Sequence, residues 1–254
     1  MRIKLASILA LAWLGAAALS FGQSEVAAAP DGDEILRRVD ANMAADSKST
    51  RTKMVIAGRG GTRTVESQSW IRGRTESFTE YLNPPRERGT KMLKLDDQLW
   101  TYFPATDRTI LIAGHMLRQS VMGSDLSYED LMEDPLLSGL YDPQIEGEDV
   151  VLERPCWVLH LTAKHDDLAY DSRKMWVDKE RFAILREHRF AKSGKLLKTT
   201  DVRTLEEIDG RWIGTEIEFK DALKSGGGTR FVIDTIEFDV VIPEHMFTKA
   251  VLRK

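Results

Sequence analysis

From Thr52 onward, apolar and polar residues alternate in short runs that are separated by turn-forming residues. A Gly-Gly pair at 60–61 and an Asp-Gly pair at 209–210 are two of these turns. Such pairs are typical of tight hairpins, and a period of two is the period of a strand. The sequence therefore predicts a mainly β protein: about a dozen strands in an antiparallel meander, without repeated strand–helix–strand units.

The predicted strands are preceded by one predicted helix at 31–45, which Asp31 caps and which carries one apolar stripe. The strands are expected at 52–59, 62–72, 75–82, 90–95, 98–103, 108–113, 144–153, 156–163, 172–178, 183–190, 196–208, 211–220 and 229–241. In the last strand, alternation places Val232, Ile236 and Phe238 on one face.

Some strands carry large apolar side chains on both faces, because Trp100 and Tyr102 alternate with Leu99 and Phe103. A sheet that is apolar on both faces must be covered on both. One cover is the core of the fold, and the other is either a ligand or a further segment of the chain.

The N-terminus has the form of a secretory signal peptide, because Arg2 and Lys4 precede an uncharged apolar run. The alternative is a retained membrane anchor. The apolar run is short for such an anchor, because the hydrocarbon core of a bilayer is about 30 Å thick. We expect residues 1–22 to be removed, with cleavage as late as residue 29, and residues 31–254 to form one exported domain.

Composition and motifs exclude several functions. A net charge of −4 with mixed signs leaves no basic face for nucleic acid. Cys156 is the only cysteine, so the chain forms no internal disulfide. Zinc-protease, serine-hydrolase and phosphate-loop motifs are absent. His165 with Asp166, Asp167 and Asp171 offers ligands for a hard cation, but such a run more often forms a solvated turn. We expect no catalysis, metal or cofactor.

The strand pattern stops between residues 113 and 144. Ser127 and Asp130 have the spacing of a capping box, which predicts a short helix at 128–133 that Pro135 ends. This segment is also rich in methionine, a flexible side chain that suits ligands of variable shape. It is expected either to fill one end of the barrel as ordinary core or to form a mobile cover over an apolar cavity.

Three stretches appear in order along the chain: Tyr-Leu-Asn-Pro-Pro-Arg-Glu-Arg-Gly-Thr at 81–90, Leu-Trp-Thr-Tyr-Phe-Pro at 99–104, and Met-Gly-Ser-Asp-Leu-Ser-Tyr-Glu-Asp-Leu at 122–131. With them the chain resembles the bacterial outer-membrane lipoprotein-sorting protein family, in the branch related to the carrier LolA. The resemblance covers about residues 31–254, and its most specific element is the Gly-Ser-Asp-Leu-Ser-Tyr-Glu-Asp stretch.

The resemblance implies a single unclosed antiparallel β-barrel with short helices over its concave mouth. It also implies a periplasmic carrier that binds acyl chains of a lipid or lipoprotein in an apolar cavity. An inner-membrane exporter of the resistance–nodulation–division type is the implied partner. The alternative is a non-carrying periplasmic module that stabilises or regulates an exporter.

Strand parity and helix spacing suggest which side chains would contact acyl chains, although parity does not identify the concave face. The predicted contacts are Trp70, Trp100, Tyr102 and Ile110 on the sheet, and Met116, Leu117, Val121, Met122, Leu126 and Tyr128 on the cover. The acidic residues Asp125, Glu129 and Asp130 are expected either to cap helices and solvate the surface or to dock a basic partner.

Overall fold

One antiparallel sheet forms the body of the computed structural model, which describes residues 30–58, 60–134 and 136–253. The predicted signal peptide lies outside the described residues. The strands are β1 (Ser47–Gly58), β2 (Gly61–Arg72), β3 (Glu76–Asn83), β4 (Lys91–Leu95), β5 (Gln98–Phe103), β6 (Arg108–Ile112), β7 (Tyr141–Val151), β8 (Arg154–Ala163), β9 (Ser172–Asp178), β10 (Ile184–Phe190), β11 (Leu196–Ile208), β12 (Arg211–Asp221) and β13 (Gly228–Phe238). The predicted mainly β, unclosed antiparallel fold is confirmed.

The sheet order is β6-β5-β4-β3-β2-β1-β13-β12-β11-β10-β9-β8-β7, so it consists of two meanders. They join where β1 pairs with β13, which the sequence did not predict. This pairing explains why β1 begins at Ser47, five residues before the predicted Thr52, since the added residues pair with both β2 and β13. The edges of the open sheet are β6 and β7, which flank the interruption in the strand pattern.

The helix α1 (Gly32–Met43) begins at the predicted cap, where Asp31 Oδ1 accepts a hydrogen bond of 2.8 Å from the Glu34 amide. Its buried stripe of Ile35, Leu36 and Val39 packs on side chains from β7, β8 and β9. Among the described residues, neither α-helix has the length and apolar character needed to cross a bilayer.

The residues that interrupt the strand pattern, 113–134, are here called the cover segment. It contains two 3-10 turns, at Gly114–Arg118 and Val121–Gly123, followed by the helix α2 (Tyr128–Met132). The predicted capping box is confirmed, because Ser127 and Asp130 exchange hydrogen bonds between side chain and backbone. The first half forms tight turns, since Met122 adopts a left-handed conformation (φ 51°) that an α-helix does not accommodate.

The two faces of the sheet are covered by different parts of the chain. On the face called inner here, α1 and the cover segment pack over the strands. On the outer face, two 3-10 turns at Glu244–Phe247 and Lys249–Arg253 place Val251 and Leu252 against β3, β4 and β5. In the part of the sheet formed by β2 to β5, both faces are therefore apolar and both are covered, as expected.

Candidate functional site

The side chains of the described residues leave space unfilled on the inner face between α1 and the cover segment. Four adjoining cavities of about 390, 230, 260 and 200 Å³ lie there, and together they are called the hollow. Met43 and Ile71 each line three of the four, so the cavities are neighbours along the sheet. Ligand cavities in proteins commonly have volumes of about 300–1,000 Å³.

The walls of the hollow are largely apolar at both ends. Beneath the cover segment they are formed by Met54, Tyr81, Met92, Leu99, Val121 and Leu126. Beside α1 they are formed by Val39, Ile213, Ile217, Phe219, Phe231 and Ile233. These residues come from strands distant in sequence, because the β1–β13 pairing brings both meanders to one inner face.

A band of polar side chains crosses the hollow between its apolar ends. On the inner face Lys48, Ile71, Ser77 and Lys94 are successive cross-strand partners from β1 to β4. The neighbouring hydroxyl-bearing residues are Thr50, Thr52, Ser67, Ser69 and Thr79. The polar belt is defined as Lys48, Lys94, Ser77 and these five hydroxyl-bearing residues.

One side of the cover segment is bound to the sheet by ion pairs. Three basic residues on the inner face, Arg173 of β9, Arg189 of β10 and Lys198 of β11, form what is called the basic strip. Asp130 of α2 is bonded to Lys198 and to Arg189, whose Nη1 lies 3.1 Å from Asp130 Oδ1. Glu133 pairs with Arg173, which is 1% exposed. The acidic side of α2 therefore contacts a complementary strip of the same chain.

These charges perturb one another strongly. Burial alone would raise the pKa of Asp130, but Lys198 and Arg189 outweigh that effect and lower the pKa to about 2. Burial likewise opposes ionisation of Glu187, but Arg189 and Arg173 bring the pKa of Glu187 to about 2. Both carboxylates are therefore charged at neutral pH, and the contact between cover and sheet is ionic.

Polar contacts also hold the opposite side of the cover segment. Lys94 Nζ donates to the Met132 carbonyl at 3.1 Å, and Arg74 Nε donates to Asp134 Oδ1 at 3.0 Å. These contacts tie the end of α2 to β4 and to the β2–β3 turn. The cover segment thus spans the hollow and is fastened on both sides.

The front of the cover segment is bound to the β12–β13 hairpin. Thr229 Oγ1 donates to Asp125 Oδ2 at 2.7 Å, and the Asp221 amide donates to Asp125 Oδ1 at 3.0 Å. Lys224 Nζ donates to the Ser124 carbonyl at 2.8 Å. The Gly-Ser-Asp-Leu-Ser stretch therefore has a visible structural role in docking the cover.

All six cover residues predicted to contact a ligand are brought together on the inner face. Val121, Leu126 and Tyr128 are buried in a cluster with Met54 and Met92. The remaining three, Met116, Leu117 and Met122, are partly buried against the same cluster. Their role in binding stays a proposal.

The four predicted sheet residues are not brought together with the cover. Trp70, Trp100 and Tyr102 lie on the outer face, where Lys249 Nζ is 3.8 Å from the centroid of the Trp100 ring. Ile110 lies on the inner face, opposite Thr101, and is 37% exposed near the sheet edge. Alternation shows which side chains share a face of one strand, but it does not show which face borders the hollow.

Two of the three acidic residues predicted as a docking surface are internal. Asp125 is buried, the side chain of Asp130 is 4% exposed, and both are hydrogen bonded within the chain, whereas Glu129 is partly exposed. In this conformation neither Asp125 nor Asp130 is available to a partner, and the basic strip occupies the position that a basic partner was expected to take. The strip itself was missed, although Arg173 alternates with the apolar Met175 and Val177 in β9.

The other chemical candidates have ordinary contacts. Within the described ranges, no group of three or more His, Cys, Asp or Glu residues is placed to hold a metal ion. Asp166 forms an exposed ion pair of 2.9 Å with Lys192. Cys156 is buried, and burial raises the pKa of its thiol, so it is not an activated nucleophile.

A family model described as "-like: Uncharacterized protein" matches residues 73–254. None of the curated proteins matches the chain. A solved structure of a DUF1329 family protein from Desulfovibrio piger is 25% identical, with a TM-score of 0.80 over 87% of this chain and 97% of that one.

Two further solved structures share the fold. A domain from Vibrio parahaemolyticus named for outer-membrane lipoprotein sorting has 20% identity and a TM-score of 0.77, covering 88% of this chain and 98% of that one. A LolA superfamily protein from Nitrosomonas europaea has 24% identity and a TM-score of 0.73, covering 88% and 100%. The resemblance predicted from the motifs at 81–131 is confirmed at the level of the fold, and the chain belongs to the family whose model matches residues 73–254.

Proposed function

We propose that this protein is a periplasmic carrier that holds the acyl chains of a lipid or lipoprotein in the hollow. The observation that carries the proposal is the unfilled, largely apolar space enclosed by the sheet, α1 and the cover segment. The fold shared with proteins named for lipoprotein sorting supports it, and the form of the N-terminus supports export. The protein acts by binding, without a covalent step.

Burial of an acyl chain supplies the energy for such binding. Each methylene withdrawn from water contributes about 0.8 kcal/mol, so a chain of about 16 carbons represents on the order of 12 kcal/mol. A lipid with that hydrophobic energy does not cross an aqueous compartment at a useful rate unless its chains are shielded. The apolar ends of the hollow provide this shielding on both sides of the polar belt.

Exchange of cargo requires the cover segment to move. Its two sides are fastened by hydrogen bonds and ion pairs, including those of Asp130 and Lys94. On opening, water replaces protein partners, so each hydrogen bond costs only about 0.5–1.5 kcal/mol net. Opening also hydrates both charges of each ion pair, which offsets much of their lost attraction, so the fastening is reversible.

The proposed membrane partner is an inner-membrane exporter of the resistance–nodulation–division type, as the family resemblance implies. Because Asp125 and Asp130 are engaged within the chain, an exporter would contact other residues or the opened form of the cover segment. The unfilled hollow favours the carrier over a non-carrying module, for which native side chains are expected to fill the space above the sheet.

Lipid analysis and one pair of variants test the proposal. Mass spectrometry of gently purified protein is expected to find co-purifying acyl lipid. Ile233→Trp adds volume to the wall of the hollow and should weaken binding of a fluorescent fatty acid by about tenfold or more. In the control Thr235→Trp, the residue lies on the same strand but points outward. This variant should bind the fatty acid with wild-type affinity. Lipid-free protein that also fails to bind the fatty acid would overturn the proposal.

A further inference from the structure

Two lysines face the hollow in one cross-strand row, Lys48-Ile71-Ser77-Lys94. Neighbouring strands lie about 4.8 Å apart, so β1 and β4 are separated by about 14 Å, a span that two long, flexible side chains can bridge from both sides. Lys48 and Lys94 both line the cavity of about 390 Å³ at the mouth of the hollow, between α1 and the cover segment. They are therefore placed to approach one bound group.

No carboxylate among the described residues forms an ion pair with either lysine. The Lys48 ammonium makes no hydrogen bond to the described part of the chain, and burial lowers its pKa. Lys94, which is 7% exposed, donates only to the carbonyls of Arg74 and Met132, and burial also lowers its pKa. A partly buried ammonium without an anionic partner is costly unless a ligand provides one.

The carboxylates near this mouth are mostly engaged elsewhere. Glu76 pairs with Arg72, and Glu133 pairs with Arg173 of the basic strip. The remaining carboxylate in the lining, Asp46, is exposed at the rim. Asp134 lies close enough to Lys94 to favour its charge, but its oxygens are bonded to Arg74. Neither lysine is therefore paired directly with a carboxylate of the described residues.

The hydroxyl groups of the polar belt add hydrogen-bonding capacity beside the lysines. Thr52 and Ser67 are bonded to each other at 3.0 Å, and Ser69 and Thr79 at 2.8 Å. Each hydroxyl has one donor and two acceptor positions, so these pairs retain unused capacity. Such a row is unneeded for holding a purely hydrocarbon ligand, and it suits the oxygens of a headgroup.

We propose that the polar belt binds an oxyanion headgroup, a carboxylate or a phosphate, of an amphiphile whose acyl chains occupy the apolar ends of the hollow. Lys48 and Lys94 supply the positive charge, and the hydroxyls accept or donate the remaining hydrogen bonds. The ligand class is therefore an acidic single-headed lipid. This inference rests on the proposed carrier function, because it assigns the headgroup of the same ligand.

Competition between matched amphiphiles tests the inference. The neutral fluorophore N-phenyl-1-naphthylamine, bound in the hollow of the whole mature protein, is displaced with palmitate, hexadecyl phosphate, hexadecanol or hexadecyltrimethylammonium below their micelle concentrations. Palmitate, hexadecyl phosphate or both should bind at least about tenfold more tightly than hexadecanol, because charge-assisted hydrogen bonds are the strong ones. Whichever of palmitate and hexadecyl phosphate binds more tightly shows whether the headgroup is a carboxylate or a phosphate.

Variants separate recognition from folding. Lys48→Met leaves no carboxylate unpaired, so it should fold as stably as the wild type yet lose the preference for the anionic ligands. Lys94→Met should lose the same preference, whereas the control Lys53→Met, whose lysine points outward to Asp234, should keep it. Equal binding of all four ligands would overturn the inference and leave the carrier proposal intact. Failure to bind any of them would overturn both.

Discussion

Arg189 Nη1 lies 3.1 Å from Asp130 Oδ1 and joins the cover segment to the middle of the second meander. The carboxylate side chain is 4% exposed and the guanidinium side chain 12% exposed, so the contact is largely screened from water. Ion pairs in such surroundings are strongly coupled to their neighbours, and removal of one member leaves the other charge buried. The closed position of the cover segment should therefore depend on individual charged residues.

Replacement of the carboxylate should destabilise the protein at neutral pH. Asp130→Asn leaves Lys198 without its ionised partner, and we expect a loss of about 3 kcal/mol in the free energy of unfolding. Urea denaturation at pH 7 measures this loss. The control Asp166→Asn removes an exposed ion pair with Lys192 and should change the midpoint little. Equal effects of the two variants would contradict the proposed importance of the buried contact.

The same carboxylate predicts a pH dependence of stability. Its folded-state pKa of about 2 lies below the ordinary value of 3.8, so its contribution is complete above about pH 4 and is lost as the pH falls toward 2. The gap in unfolding free energy between the wild type and Asp130→Asn should therefore shrink between pH 4 and pH 2. A gap that stays constant over this interval would show that the carboxylate is not held ionised by Lys198 and Arg189.

The helix caps allow a local test of the cover segment. Ser127→Ala removes the cap of α2 and should cost about 1 kcal/mol. Amides of Tyr128–Met132 should then exchange hydrogen faster, and an acyl probe should dissociate faster from the hollow. The matched variant Asp31→Ala removes the cap of α1 and should accelerate exchange in that helix alone. Unchanged probe dissociation in Ser127→Ala would argue against movement of the cover as the route of release.

The fully buried arginine of the basic strip should be sensitive to substitution. Arg173→Met leaves Glu187 and Glu133 without that partner, and we expect a loss of about 3–5 kcal/mol in unfolding free energy. Arg186→Met removes a half-exposed pair with Asp201 and should cost about 1 kcal/mol or less. Thermal or urea unfolding of both variants measures the difference. A loss of unfolding free energy in Arg173→Met as small as that in Arg186→Met would mean that water reaches the basic strip.

The outer face should affect stability without affecting ligand binding. Leu252 belongs to the last C-terminal turn and is 1% exposed against the sheet, so Leu252→Ala should cost about 2–5 kcal/mol. Because Trp70 and Trp100 line the same cluster, tryptophan fluorescence should shift as well. Affinity for a fluorescent fatty acid should stay at the wild-type value in folded protein, and weakened binding would place the ligand on the outer face instead.

Much of the local structure follows from the sequence alone. Alternation located the strands, and the caps at Asp31 and Ser127 located the starts of both helices, because these features depend on residues close along the chain. The motifs at 81–131 also predicted the fold that the solved structures share. These signals need no knowledge of which distant surfaces meet.

The arrangement of the hollow was decided by tertiary contacts. In β13 a bulge at Asp234 shifts the register with β1, so Val232 points outward while Ile236 points inward, against the prediction that they share a face. Likewise, Asp130 and Glu133 of the cover segment pair with basic residues of β9 to β11. Bulges, the β1–β13 pairing and the choice of covered face depend on surfaces brought together from distant parts of the chain, and alternation within one strand carries no information about them.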